Sequence, residues 1–523
     1  MANHRRLTAL VASALFAVAY GWPIVAIVER SLAGVAGRPG LSTGAVTAVF
    51  RDARIGRLAL VSLGQTVAST VVVVLLGVPI GWVLGRLQFP GRRWLSAIVM
   101  TPFVLPTLTV AGAMIALAGG LPRSDVARLA LIVAAHVCFN LGIMVRSVAA
   151  SVAAVPPALE EAAAALGRGP VRSVAGTTLA AIRPAVTGTA IVVAVFCLTS
   201  FGVIVALGGA SLGTIEVEVW YLSTRSLDLA RAAVLAGAQL LVVLALLGWY
   251  RRLRVSHHGG VAHALRPARR PSDRMAIVGA WIVAAVVAGL PLAALLVRSF
   301  RGTDGWTVDN YRFGSLGWSA LGYTLLGAAV ATVVAVVLAV PAVVVATRDD
   351  RVGRWFEQAM MVPLALSAAT LGLGFLVAFS GPTLDLRGTW IVVPLVQGAG
   401  AAPVVVRVLL NATRSLDPAP IEAAAVAGAG AARRLVTVVW PACRRAAAVA
   451  AGFAFAMSVG EFGATVFLTR LDRPTAPVLI GRLLGRPGSA NLGEALALSC
   501  ALGLIAAISV LLVDRVDGTG PTF

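Results

Sequence analysis

Glu161-Ala162-Ala163-Ala164-Ala165-Leu166-Gly167 and Glu422-Ala423-Ala424-Ala425-Val426-Ala427-Gly428 are near copies of one heptapeptide, 261 residues apart in a chain of 523. The same offset carries Arg146 onto Arg407, Arg172 onto Arg433, Arg183 onto Arg444, Pro102 onto Pro363, and Ser200-Phe201-Gly202 onto Glu461-Phe462-Gly463. So many pairs in one register predict an internal repeat of half the chain.

Each copy reads as a short surface helix punctuated at both ends. In the second, Asp417 is the expected N-cap, Pro418 fits the first helical position, and Glu422 lies near the positive end of the helix dipole. Gly428 then supplies the left-handed residue that ends the helix. In the first, Pro156-Pro157 opens the segment, Glu160 and Glu161 occupy the early turns, Gly167 ends it and Pro170 blocks resumption. A helix of about ten residues is roughly 15 Å long, half of what a bilayer core requires. Such helices are suited to docking.

Hydrophobic residues make up 59% of the chain and charged residues 12%, with a mean hydropathy of +0.91. A soluble domain carries about 25% charged residues, so the composition predicts an all-α polytopic membrane protein. The formal charge is +21, and all 43 basic side chains are arginine. These arginines fall in gaps between apolar runs, not on one face or among aromatics, which excludes nucleic acid as the partner and points to the positive-inside rule. Cys138, Cys197, Cys443 and Cys500 are far apart with no C-x-x-C spacing, so neither a disulfide framework nor a zinc site is expected.

Apolar runs of spanning length lie near 7–28, 58–85, 95–119, 129–150, 184–209, 230–249, 275–297, 320–347, 356–380, 389–411, 446–469 and 492–513, giving an expectation of twelve spans, six per half. The first is read as a retained helix, since no Ala-x-Ala cleavage site follows it. The expected division is a first domain over 1–250, a linker over 251–274 and a second domain over 275–523. An even count puts both termini on one face. Arg5, Arg6, the Arg86 to Arg93 turn, the linker and both heptapeptide gaps all fall on that face, which is therefore the expected cytoplasmic side. Arg30, Arg38, Arg51, Arg54 and Arg57 fall on the other, where Gly44 to Gly56 is expected to lie as an interfacial amphipathic helix. The linker has no apolar periodicity and reads as flexible, its His257, His258 and His263 as solvated positions and not as metal ligands.

Glu-Ala-Ala, three residues, Gly, then a basic and apolar tail resembles the EAA loop of binding-protein-dependent ABC importer permeases. The loops run near 156–183 and 417–444, making the chain similar to the type I, fused two-domain form. Two positions depart from the pattern: Ala180 stands where Pro441 stands in the repeat, and Ala431 where Pro170 stands. The resemblance implies that each loop helix seats in a groove of one of two ATPase subunits. Glu161 and Glu422 would pair with basic or amide groups there, Ala162, Ala163, Ala423 and Ala424 would permit close approach, Gly167 and Gly428 would set the turn, and Arg172 and Arg433 would follow in the basic tail. It further implies a periplasmic or lipid-anchored solute-binding protein and a bacterial plasma membrane location.

Ala135 to Leu141 through Arg146, Thr199 to Gly202 through Gly209, and Gly460 to Thr465 followed by Arg473-Pro474-Thr475 resemble the fused permeases for ferric iron and thiamine. Ferric iron is the first expected substrate and thiamine the second, with small anions or polyamines behind. No G-x-x-x-x-G-K-[ST] loop is present and no lysine exists to build one, so ATP is expected on another polypeptide and no cofactor on this one. Without a convergent nucleophile and base, no enzyme activity is expected.

An intramembrane ionisable group marks function by default, which makes Glu461, with its repeat mate Ser200, the first candidate for the translocation pathway. Helix capping just outside the hydrocarbon is an equal reading of Glu461. His136 and Asn140, one turn apart, either face the pathway or bond between helices, with interhelical bonding favoured. Pro102 and Pro363, Pro79 and Pro341 are expected to kink their helices. A rival class, the ion-coupled secondary transporter of twelve spans, would need acidic or basic coupling residues in several spans, and only Glu461 qualifies.

Overall fold

The computed structural model describes residues 2–32, 44–209, 212–253, 263–302, 305–348, 350–360, 363, 366–381, 385–386 and 388–517. Among the described residues the regular structure is helical, apart from two pairs of two-residue strands and one isolated bridge. Ten helices among the described residues are long and apolar enough to cross a membrane. In the first half these are α1 (Leu7–Leu32), α3 (Ala53–Arg86), α6 (Asp125–Ala154), α9 (Thr178–Leu198) and α12 (Leu229–Arg252). In the second they are α13 (Pro271–Ser299), α14 (Ser315–Ala346), α17 (Val392–Arg414), α19 (Leu435–Val459) and α22 (Ser489–Val513). Between them lie α2 (Gly44–Arg51), α4 (Arg92–Val104), α5 (Thr107–Ala118), α7 (Ala158–Ala165), α8 (Pro170–Gly176), α10 (Gly202–Leu207) and α11 (Ile215–Thr224) in the first half. The second half has α15 (Arg351–Ala359), α16 (Ala368–Ala378), α18 (Pro418–Val426), α20 (Thr465–Leu468) and α21 (Ala476–Leu484).

The count of twelve continuous spans is corrected at the third run of each half. The run near 95–119 is two helices, α4 and α5, meeting at 109°. Pro106 donates no backbone hydrogen bond and disfavours the helical conformation at Leu105, which is extended. Pro102, expected to make the kink, lies inside α4. The corresponding run near 356–380 is likewise divided into α15 and α16, the latter capped by the Ser367 hydroxyl, which accepts from the Thr370 amide at 3.0 Å. Neither Pro79 nor Pro341 interrupts its helix. Three other spans place a five-residue π-helical turn before a proline: Ala17–Gly21 before Pro23, Ala285–Gly289 before Pro291, Leu435–Val439 before Pro441, whereas Pro184 and Pro403 lie inside α9 and α17 without one. The wider turn accommodates the lost donor and the ring.

Within the first half, α3 and α6 make the closest contact because α3 presents Gly77, Gly81 and Gly85 on one stripe. A side chain at Gly77 would meet Met144 at 2.5 Å, and one at Gly85 would meet the Ala149 carbonyl at 2.5 Å. In a lipid environment the gain from such contact is packing, which small residues permit. The corresponding helix α14 uses alanine instead, with Ala331, Ala335, Ala339, Ala342 and Ala346 all buried.

The leading helix of each half packs on the other half. Tyr20 of α1 donates to the Ala399 carbonyl at 2.7 Å and Trp22 to the Ala378 carbonyl at 3.1 Å. In return, α13 places Trp281 against Gly91 and buries Leu295 among Ala113, Ala116 and Leu496. Chain order and packing therefore divide the molecule differently. The second part of the linker is also docked, contrary to the expectation of flexibility. Arg266–Pro267 pairs in parallel with Leu87–Gln88, and the Arg266 guanidinium holds Asp273 at 2.7 and 2.8 Å. His257 and His258 lie outside the described residues.

The expected amphipathic segment is α2, running into α3 through the Asp52 cap. Arg54, counted against the positive-inside pattern, is balanced by Glu218 at 2.9 Å.

Exchange of the leading helices predicts that the halves, produced as two chains cut between Leu253 and His263, will co-purify in detergent. Affinity purification through a tag on one half measures this, and separate elution would contradict the packing described.

Candidate functional site

The two short helices α7 and α18 end in the same way. Gly167 and Gly428 both have φ of +81°. The Gly167 and Arg168 amides bond to the Ala164 and Ala163 carbonyls at 3.0 and 3.1 Å, and the Gly428 and Ala429 amides to Ala425 and Ala424 at 3.0 and 2.9 Å. This is the Schellman arrangement that a left-handed residue permits. Asp417 caps α18 by accepting from the Ala419 amide at 3.0 Å. Pro170, expected to block the helix, instead starts α8 at its first turn.

Glu161, Ala162, Gly167, Arg172, Glu422, Ala423, Gly428 and Arg433 are exposed; Ala163 is buried and Ala424 half-buried. Leu166 and Val426 are 84% and 90% exposed. Each helix thus offers a carboxylate at its start and an apolar side chain at its end to whatever docks there.

Glu160, not Glu161, fastens α7 to the bundle. Its carboxylate accepts from Arg86 Nε and Nη2 at 3.2 and 3.0 Å, from Trp82 at 3.4 Å and from the Thr178 hydroxyl. Arg86 also donates to the Val155 carbonyl at 2.8 Å. The Arg86 side chain is 2% exposed, so its charge is satisfied within the protein alone. The sequence reading counted Arg86 as one more positive-inside residue and passed over this partner. At the offset of 261, Arg86 and Glu160 become Thr347 and Ile421, so α18 has no equivalent clamp.

At the opposite end of α9 and α19 lie the other candidates. His136 Nε2 and the Ser200 hydroxyl share a hydrogen bond of 2.8 Å, and His136 Nδ1 lies 3.4 Å from Ser69. Asn140 donates to the His136 carbonyl at 2.9 Å and to Cys197 Sγ at 3.7 Å. These residues bond α6 to α3 and to the end of α9, the interhelical reading. Glu461 follows the end of α19 and caps α20, accepting from the Ala464 and Thr465 amides at 2.7 and 2.9 Å and from the Thr465 hydroxyl. The run near 446–469 therefore ends earlier than expected, at Val459, because the carboxylate satisfies a new helix start.

Phe201 and Phe462 stack between the halves with centroids 5.4 Å apart and planes at 22°. Trp220 and Phe467 lie 6.0 and 6.2 Å from Phe201. Beside them α11 carries Glu216, 1% exposed, which accepts from Gln239 at 2.6 Å. Burial pushes its carboxyl up to about 8, against opposing hydrogen bonds from Ser367 and Gln239. Burial raises Glu218 as well, opposed by Arg54. Glu216 was missed in the sequence because its repeat counterpart is Pro477 and no pairing flags it. Among the described residues, no three His, Cys, Asp or Glu side chains converge as a metal site.

Removing the Glu160 carboxylate in Glu160→Ala strands a buried guanidinium and is expected to cost about 3 kcal/mol, while Arg86→Met/Glu160→Leu recovers most of it. Gly428→Ala meets open space but an unfavourable φ, with an expected cost of about 1 kcal/mol. Thermal unfolding of the purified permease in detergent measures both.

No protein-family model matches the chain. It is 27% identical over 487 residues to the thiamine transport system permease protein ThiP of Brucella abortus, covering 89% of this chain and 88% of that one. It is 24% identical to ThiP of Haemophilus influenzae, covering 83% and 84%. It is also 24% identical to the probable ABC transporter permease protein y4fN of Sinorhizobium fredii, covering 83% of each. Along most of its length, then, this multi-pass membrane chain resembles the fused permeases of binding-protein-dependent ABC importers, and these relatives support an ABC permease role.

Proposed function

We propose that this chain is the membrane subunit of an ATP-driven importer, accepting thiamine from a binding protein and passing it inward. The observation that carries the reading is similarity to thiamine permeases across nearly nine-tenths of the chain. The relatives reverse the expected order of substrates: thiamine is in their names, and nothing found supports ferric iron as the first choice.

In this reading α7 and α18 are the coupling helices, each received by one of two ATPase subunits, and ATP is hydrolysed there and not on this chain. Their exposed carboxylates and apolar ends support this. The halves are an internal duplication, with linker 251–274 between domains 1–250 and 275–523. In support, adding 261 to the bounds of α7 gives 419–426, against Pro418–Val426 for α18, and adding it to the end of α9 gives 459, the end of α19. Both termini, the linker and both coupling helices lie on the cytoplasmic side, supported by the arginine distribution. Glu461, Ser200, His136 and Asn140 stand at the far end, where their hydrogen bonds hold the walls of the pathway.

Glu161→Arg and Glu422→Arg together are expected to abolish co-purification of the ATPase and to reduce uptake of radiolabelled thiamine to background, with membrane insertion unchanged. Persistent uptake that an ionophore collapses would instead establish an ion-coupled transporter.

A further inference from the structure

Phe201 and Phe462 occupy corresponding positions 261 residues apart, and they touch each other. In a two-half molecule, a residue that contacts its own counterpart lies where the relation between the halves has its axis. Permeases built from repeats place their pathway along that boundary. Both rings belong to the non-helical steps after α9 and α19, yet they are only 3% and 4% exposed. Stacked as they are, they leave no passage between them.

The surroundings of the pair are chemically one-sided. Trp220 and Phe467 extend the aromatic surface around Phe201. Glu461 immediately precedes Phe462, and Glu216 lies one helical turn before Trp220, on the same face of α11. At the rim, the exposed Arg225 guanidinium already sits 6.0 Å from the Trp220 ring centre, so this surface holds a cation on an aromatic face. Ring faces attract cations through their quadrupole and favour stacking with other flat rings. Buried carboxyls are costly when charged and unpaired, and an arriving cation draws them toward the ionised form.

We propose that the Phe201–Phe462 pair is the closed gate of the pathway, and that its parted ring faces, with Glu461 and Glu216 beside them, form a transient site selective for a planar organic cation. The proposal rests on the permease reading, and deepens it by naming the groups that recognise the cargo. A small anion would meet ring faces and carboxylates that repel it.

The test uses the full chain in liposomes without ATP or partner subunits, with 1-methylquinolinium as planar cation and naphthalene-2-sulfonate as anion of similar size. The native protein should be tight to both. Phe201→Ala/Phe462→Ala should pass the cation about tenfold faster than the anion, the scale of one cation–aromatic contact. Adding Glu216→Gln should reduce that preference, and Phe201→Leu/Phe462→Leu, which keeps an apolar seal, should remain tight. If the double alanine variant does not reconstitute, Phe462→Ala is measured in its place with the same expectation. An alanine variant as tight as the native protein overturns the gate, and equal passage of both ions overturns the selectivity. Failure of thiamine uptake in the complete transporter would instead overturn the substrate assignment, and leaves the leak measurement standing.

Discussion

A chain surrounded by hydrocarbon has to satisfy its own backbone, and a helix is the way a lone segment does so. Every interruption of a helix at membrane depth must then be wrapped in protein. This constraint explains where the irregular parts of the molecule are. The break at Leu105–Pro106, the step through Ser200 and Phe201 and the step through Glu461 and Phe462 all lie inward, between the halves. Pro106 lies within 3.3 Å of where a side chain on Gly460 would begin. Glu461 supplies the acceptors that the amides of a new helix start would otherwise lack.

The same accounting separates the two short helices. The first is clamped through a buried charge pair, since Arg86 at the end of α3 has no solvent and takes Glu160 as partner. The second, among the described residues, is fixed by its cap and its terminal glycine. Buried ion pairs contribute little net stability but fix geometry, because leaving either partner alone is expensive. A push on α7 is therefore delivered to α3 directly, whereas α18 relays through its flanking segments.

Much of this was legible in the sequence. Apolar length located the ten continuous spans, and the residue order Asp417, Pro418, Gly428 announced the start and end of α18 because capping chemistry is local. Tertiary facts were not legible. Hydropathy runs unbroken across 95–119, so the bend at Pro106 is invisible to it, and Pro102 was an equally good proline. Arg86 is one arginine among many until its burial is known. Glu461 admitted two readings from sequence, and its bonds to Ala464 and Thr465 supply the cap. Glu216 lies between Ile215 and Val217 with Pro477 as its repeat counterpart, and its packing against Gln239 is what marks it.

Crossing of the leading helices also bears on biogenesis. The partners of Tyr20 and Trp22 are Ala399 and Ala378, 379 and 356 residues later. At about 5–20 residues per second of synthesis, the amino-terminal helix waits in the bilayer for roughly half a minute before these two partners leave the ribosome. During that interval its native packing is confined to the first half, chiefly α12, and any ribosome stall in the second half leaves the rest of its surface to lipid.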